Sequence, residues 1–144
     1  MSITDFSKAF DLVSHTKLID KLHALKFPSS TIAWMHSYLY NRRQRVSLRG
    51  TVSDWIPVTS GVPQVSLLGP LLFNIYISDL HKILKSENNS YVDAFKLFFP
   101  SYSSNLLQED LDVITAWATR NGLRINPKKC AVMHFSHNSP KVHY

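Results

Sequence analysis

A chain of 144 residues, 44% apolar and 18% charged, has the size and composition of one folded domain, because that much apolar surface offsets the entropy lost on ordering. Sixteen Lys and Arg against ten Asp and Glu give a net charge of +6, which suits a polyanion such as nucleic acid and equally serves solubility. The single Cys130 excludes an internal disulfide and, with scattered histidines, offers no recurring zinc spacing, so a reducing compartment is expected.

Met1 to Phe10 is polar, without the charged and apolar regions of a secretory leader. Ile3 and Thr4 make a short strand-like lead into Asp5. Between Val13 and Phe27, Leu18, Ile19, Leu22 and Leu25 recur with the spacing of an amphipathic helix, which Pro28 closes. Ser29 or Ser30 is expected to cap a second helix that turns Ile32, Trp34, Met35, Tyr38 and Leu39 toward a core before a turn at Asn41. Val46 and Leu48, a turn at Gly50, and the returning Trp55, Ile56 and Val58 predict a β-hairpin.

Gly61, Pro63 and Gly69-Pro70 interrupt regular structure around an apolar run. That run, Leu67 to Leu80, is too short to span a bilayer and reads as a buried helix, so no membrane partner is expected. Lys85 to Ser90 reads as a polar loop. Tyr91 to Phe99 reads as two short strands, or one strand with a tight turn, with Asp93 at the turn. Leu106, Leu107, Leu111, Ile114 and Trp117 mark a last helix, ended by Asn121-Gly122 as a left-handed cap, and Ala131 to Phe135 a last strand. The whole reads as one α+β unit, helices over a small sheet.

Three places could carry chemistry: Asp5, Asp93 and the loop from Gly61 to Gly69. Two carboxylates on neighbouring strands suit a hard cation such as magnesium, although an isolated Asp at a strand end more commonly serves a turn or cap. Arg42, Arg43 and Arg45 form a basic group that could hold phosphates or keep a hairpin edge from pairing.

Four segments, taken together and in order, resemble the palm of reverse transcriptases from non-LTR (LINE-type) retrotransposons. Thr4-Asp5-Phe6-Ser7-Lys8-Ala9-Phe10-Asp11, followed by Val13-Ser14-His15, is similar to motif A, and Ser60-Gly61-Val62-Pro63-Gln64-Val65 through Phe73 to motif B, with Val65 where the family has Gly. Tyr91-Val92-Asp93-Ala94 stands at motif C, whose usual form is an aromatic residue followed by Ala-Asp-Asp. Gly122-Leu123-Arg124-Ile125-Asn126-Pro127-Lys128-Lys129-Cys130 resembles motif D. The resemblance covers almost the whole chain, so residues 1–144 are expected to be a partial reverse transcriptase domain with the palm fold of right-hand polymerases, without complete fingers or thumb.

What the resemblance implies is two-metal nucleotidyl transfer, with magnesium (Mg2+) as cofactor and an RNA template, a DNA primer and deoxynucleoside triphosphates as partners. It makes Asp5 and Asp93 metal ligands, with help from the Phe6 carbonyl, and Lys129 a donor of a proton to the leaving pyrophosphate. It makes Phe10 the ring that excludes a ribose 2′-hydroxyl, and Pro63 and Gln64 contacts for the incoming nucleotide. Read by itself, Phe10 is a core aromatic and Lys129 a solvated surface lysine. Two departures weigh against catalysis by this chain alone: Ala94 stands at the second motif C aspartate, and a chain that starts four residues before Asp5 and stops at Tyr144 is expected to lack the fingers and the thumb; Val65, besides, puts a branched side chain where the family has Gly. Ser90 and Phe95 depart too, from an apolar and a small polar residue respectively. The alternatives are a nucleic-acid-binding or interaction module, or an untasked retrotransposon relic. Placement in the nucleus or cytoplasm would follow from the family alone.

Overall fold

The computed structural model describes residues 1–64, 66–91, 94–100, 104–133 and 135. In chain order the elements are β1 (Ser2–Ser7), α1 (His15–Ala24), α2 (Ser29–Leu39), β2 (Arg43–Gln44), β3 (Ser47–Leu48), β4 (Thr51–Val52), β5 (Ile56–Pro57), α3 (Leu68–Ile77), α4 (Leu80–Ile83), β6 (Glu87–Tyr91), β7 (Ala94–Phe98), α5 (Ser104–Asn121), β8 (Arg124–Ile125) and β9 (Ala131–Val132). A 3-10 turn, Pro127–Lys129, separates the last two strands. The backbone divides into two compact units, Met1–Ser7 with Asp79–Tyr144, and Lys8–Ser78.

The first unit is an antiparallel sheet in the order β6-β7-β1-β8, with β9 also paired to β1. β1 is central because it has partners on both sides: Ser2 lies opposite Leu97 and Asp5 opposite Ala94, while Phe6 faces Ile125 and Ser2 faces Val132. Helix α5 turns Ile114, Trp117 and Ala118 inward at helical spacing, and the Trp117 ring packs 6.4 Å from that of Phe6. Its end is the cap expected from Asn121-Gly122. Gly122 sits at φ 75°, its amide bonds Thr119 O at 3.2 Å, and the Leu123 amide reaches back to Ala118 O at 2.9 Å, as in a Schellman motif.

The polar loop expected over Lys85 to Ser90 is corrected by the structure: Glu87–Tyr91 is strand β6, paired residue by residue with β7 from Glu87↔Phe98 to Tyr91↔Ala94. A polar sequence suffices there because the strand lies at the sheet edge, with one flank free of β partners among the described residues.

The second unit is helical with a hairpin. Ser14 caps α1, its side chain accepting from the Lys17 amide at 3.4 Å, and Leu18 and Leu22 are fully buried. In α2, Pro28 occupies the cap position without a side-chain bond, so neither Ser29 nor Ser30 caps the helix. The buried stripe is Ile32, Met35 and Leu39; Trp34, expected in the core, is 53% exposed and stacks on Tyr38 outside it. The expected buried helix is α3, with Leu72, Phe73, Tyr76 and Ile77 excluded from solvent.

The expected hairpin forms as two short ladders, Arg43↔Pro57 with Gln44↔Ile56, and Ser47↔Val52 with Leu48↔Thr51. Arg49 and Gly50, at φ 48° and 85°, supply the paired positive values of a type I′ turn. No described helix is long and apolar enough to cross a membrane.

Candidate active site

In the first unit, β1 carries Asp5 into the middle of the sheet, where the residue is 8% exposed. Its carbonyl accepts the Asn126 amide at 2.8 Å, which fixes the backbone. Its carboxylate is not fixed in the same way: Oδ1 is buried and has no hydrogen-bond partner. The nearest cation is Lys129, whose Nζ lies 3.6 Å from that oxygen while most of its side chain stays in solvent. Residues 124 positions apart are brought together because β1 pairs with β8 and the 3-10 turn that follows is held by Asn126, whose side chain accepts the Lys128 amide at 3.2 Å.

Across the ladder from Asp5 stands Ala94, and directly opposed residues of an antiparallel pair point to the same face. The side chain nearest Asp5 on that strand is therefore a methyl group. Asp93 and Val65 lie outside the described residues. The Phe6 ring is 1% exposed and sits in the core against Trp117, so only its backbone is available to a site. An orphaned buried carboxylate oxygen fits a divalent cation, which would supply the missing partner. Among the described residues no group of three or more His, Cys, Asp or Glu gathers around one point.

In the second unit, Phe10 is half-buried with its ring stacked on Phe73 at 5.2 Å and 30°. Its carbonyl accepts the Val62 amide at 2.8 Å, and the Gly61 amide bonds Val13 O at the same distance, so the 60–64 loop is laced to the turn after β1. Ser60 Oγ adds a bond to Asp11 O at 2.9 Å, and Gln64 Nε2 donates to Asp11 Oδ1 at 2.8 Å. Gly61 is required here: it holds φ 85°, and a Cβ would lie 2.9 Å from Asp11 Cα, Asp11 O and Phe10 O. Pro63 O receives Ser66 Oγ at 2.8 Å, and Ser66 Oγ in turn accepts the Gly69 amide at 2.9 Å.

The three arginines differ in what they touch. Arg42 turns inward, donating through Nε to Leu39 O at 3.1 Å and through Nη2 to Gly61 O at 2.6 Å. Arg45 lies over the Trp55 ring at 4.6 Å, and Arg43 is exposed. His15, which the motif A resemblance includes without a role of its own, is 5% exposed, and its Nε2 also lies 2.8 Å from Gly61 O. Asp110 has no role in the sequence reading either. It is 1% exposed and accepts the amides of Lys85 and Ser86 at 3.1 and 3.0 Å.

The family model for reverse transcriptase (RNA-dependent DNA polymerase) matches residues 1–144. The probable RNA-directed DNA polymerase from transposon BS of Drosophila melanogaster is 36% identical over 137 residues, 87% of this chain and 15% of that protein. The RNA-directed DNA polymerase from mobile element jockey of the same fly is 33% identical over 147 residues, 94% of this chain and 16% of that one. This chain thus spans about one sixth of the length of the curated relatives it matches. Telomerase from Candida albicans, solved in complex with the TWJ fragment of telomeric RNA, superposes with a TM-score of 0.72 at 16% identity, over 99% of this chain and 28% of that one. At that identity the likeness speaks for the fold alone, the right-hand polymerase fold in which an antiparallel sheet is backed by helices. The chain belongs to the reverse transcriptase (RNA-dependent DNA polymerase) family, and within it is similar to the polymerases of non-LTR retrotransposons.

Proposed function

We propose that residues 1–144 are one partial reverse transcriptase domain, carrying palm motifs A to D, whose two-metal nucleotidyl-transfer site is catalytically impaired. The observation that carries this reading is the buried Asp5 carboxylate, with Oδ1 unpartnered, Lys129 Nζ 3.6 Å away and Ala94 opposite. A protein that keeps an unsatisfied buried carboxylate forgoes stability there, a cost that is understandable where a cation belongs.

In this reading Asp5, Asp93 and the Phe6 carbonyl hold Mg2+. Bound there, the metal would activate a primer hydroxyl and offset the charge of a deoxynucleoside triphosphate. The rest is done by the chain itself. Lys129 presents Nζ to the leaving pyrophosphate, and Phe10, held by its stack on Phe73, excludes a 2′-hydroxyl. Pro63 and Gln64 present the loop to the incoming nucleotide, opposite an RNA template paired with a DNA primer. Ala94 accounts for the impairment, because a methyl group neither coordinates a cation nor adds the charge that would hold it.

The test is template-primed deoxynucleotide incorporation with magnesium or manganese, using the unmodified chain, Ala94→Asp and Asp5→Ala. The expected result is little or no incorporation by the unmodified chain and a gain of at least about tenfold on restoring the carboxylate, equivalent to 1.4 kcal/mol of barrier. Vigorous incorporation by the unmodified chain that survives Asp5→Ala would sink the assignment of the site.

A second reading is favoured by the exposed Arg43 and by Arg45 stacked on the exposed Trp55, a pairing of charge and ring suited to a single strand. As a binding module the chain would hold nucleic acid without magnesium, with affinity falling steeply with salt. Neither incorporation nor salt-dependent binding in any variant would leave the untasked relic.

A further inference from the structure

We infer that His15 and Arg42 are positioning residues that set the 60–64 loop by sharing one acceptor, the carbonyl oxygen of Gly61. This rests on the reading of Phe10, Pro63 and Gln64 as nucleotide-contacting residues. The geometry is convergent. Arg42 Nη2 lies 2.6 Å and His15 Nε2 2.8 Å from the oxygen, and the two nitrogens are 3.4 Å from one another. A carbonyl oxygen has two lone pairs and only accepts, so both contacts are satisfied when each nitrogen presents a hydrogen.

That requirement selects the His15 tautomer protonated at Nε2. With the hydrogen on Nδ1 instead, a lone pair of Nε2 would face the lone pairs of Gly61 O at hydrogen-bond distance. The 3.4 Å approach of Nη2 to Nε2 then follows from the shared acceptor rather than from a bond between them.

Both donors come from rigid places. His15 is buried at the first turn of α1 behind the Ser14 cap, and its ring packs at 5.4 Å against Tyr40. Arg42 is steadied by its second bond, to Leu39 O at the end of α2. The clamp thus joins the starts and ends of two helices to a single peptide. Amides on either side of that carbonyl are also taken, Gly61 N by Val13 O and Val62 N by Phe10 O. A change at His15 or Arg42 is therefore transmitted to Phe10 on one side and to Pro63 and Gln64 on the other. Arg42 belongs to this clamp rather than to a phosphate-binding group with Arg43 and Arg45.

The experiment is amide hydrogen exchange by NMR on the full chain and on His15→Ala, His15→Gln, Arg42→Ala and Arg42→Lys, with α5 amides as the control for folding. Exchange at Gly61 and Val62 is expected to rise about tenfold or more in both alanine variants, with α5 unchanged, because only the local opening becomes easier. His15→Gln, which keeps a terminal N–H donor, should restore slow exchange, and Arg42→Lys, which keeps one donor, should fall between. The imidazole nitrogens of His15 should show the Nε2-protonated tautomer.

Unchanged exchange at Gly61 and Val62, or an Nδ1-protonated ring, overturns the clamp. Should Arg42→Ala unfold, Arg42→Lys and the two His15 variants decide it. Binding of dTTP with manganese is measured in parallel and should weaken in the alanine variants and recover in His15→Gln. If the unmodified chain binds no nucleotide, the functional reading of the loop fails while the exchange result still rules on the clamp.

Discussion

Two buried carboxylates in the same unit have opposite surroundings. Asp110, on α5, is 1% exposed and has both oxygens occupied: the Lys85 amide on Oδ1 at 3.1 Å, and the Ser86 amide and hydroxyl on Oδ2 at 3.0 and 2.5 Å. Asp5, on β1, is 8% exposed and has one oxygen buried without a hydrogen-bond partner. Burial by itself therefore does not say what a carboxylate is for. A satisfied carboxylate is a strut, here joining the turn before β6 to the helix behind the sheet. An unsatisfied one stores a cost that a ligand can relieve.

The largest effect expected from that contrast is at Asp110. Asp110→Ala leaves two backbone amides and a hydroxyl without an acceptor, and should cost about 3 kcal/mol of unfolding free energy. Urea unfolding followed by far-UV circular dichroism would measure it. Asp110→Asn should recover about half of that, since one oxygen remains to accept. A loss under about 0.5 kcal/mol in the alanine variant would mean that water replaces the carboxylate, and that Asp110 is no strut.

Such a strut could not be read from the sequence, whereas much of the scaffold could. Helices α1, α3 and α5 announce themselves because their buried residues recur at local helical spacing, and Asn121-Gly122 because a positive φ is a property of one residue. Strand β6 was hidden: Glu-Asn-Asn-Ser-Tyr has no apolar alternation, and what makes it a strand is its pairing with β7 and the bonds its side chains make to α4. His81 reaches Asn88 Oδ1 at 2.6 Å and Ser90 Oγ at 3.1 Å, neither of which is visible along the chain.

Ser90 and Phe95 teach the same lesson. Along the sequence they are two separate departures from the family pattern, yet they are cross-strand partners, and His81 bonds one while its ring lies 4.8 Å from the other. They form one packing unit. At the site, the family pattern singles out Asp5 and Lys129, but not that the Asp5 oxygen is orphaned or that Ala94 faces it. Along the chain Arg42 looks like Arg43 and Arg45, because a run of arginines does not say which one turns inward, and the acceptor that turns it, Gly61 O, is nineteen residues away.

A much smaller effect is expected at the other carboxylate. Asp5→Asn removes a buried charge with an unpartnered oxygen and gives up an ion pair whose lysine is mostly solvated, worth about 0 to 1 kcal/mol. The two changes nearly offset, so stability without metal should stay within about 1 kcal/mol of the unmodified chain or exceed it. Manganese should raise the melting temperature of the unmodified chain and not that of the variant. A loss of more than about 2 kcal/mol on Asp5→Asn would place Asp5 with Asp110 as a structural group and dissolve the contrast.

The smallest effect lies at the exposed edge of the Asp110 strut. Lys85, whose amide Asp110 holds, extends its side chain to Glu109 at 2.7 Å. The hydrogen bond to Glu109 and then that carboxylate's charge raise the Lys85 pKa above its ordinary value of 10.5, against an opposing desolvation that outranks the further upward pull of the Asp110 charge. A cation whose pKa is higher folded than unfolded contributes its stability fully below the unfolded value, and loses it as pH rises through the folded one. The contribution is therefore constant across neutral pH and fades only in strong alkali. Both side chains are solvated, so salt should erode it. NMR titration of the Lys85 side chain should show the midpoint moving back toward 10.5 in Glu109→Ala, because that change removes both the hydrogen-bond acceptor and the nearer charge, leaving Asp110 as the residual raising cause. A midpoint unmoved by Glu109→Ala would assign the shift to Asp110, and would extend the reach of the buried strut to the surface lysine it holds only by the backbone.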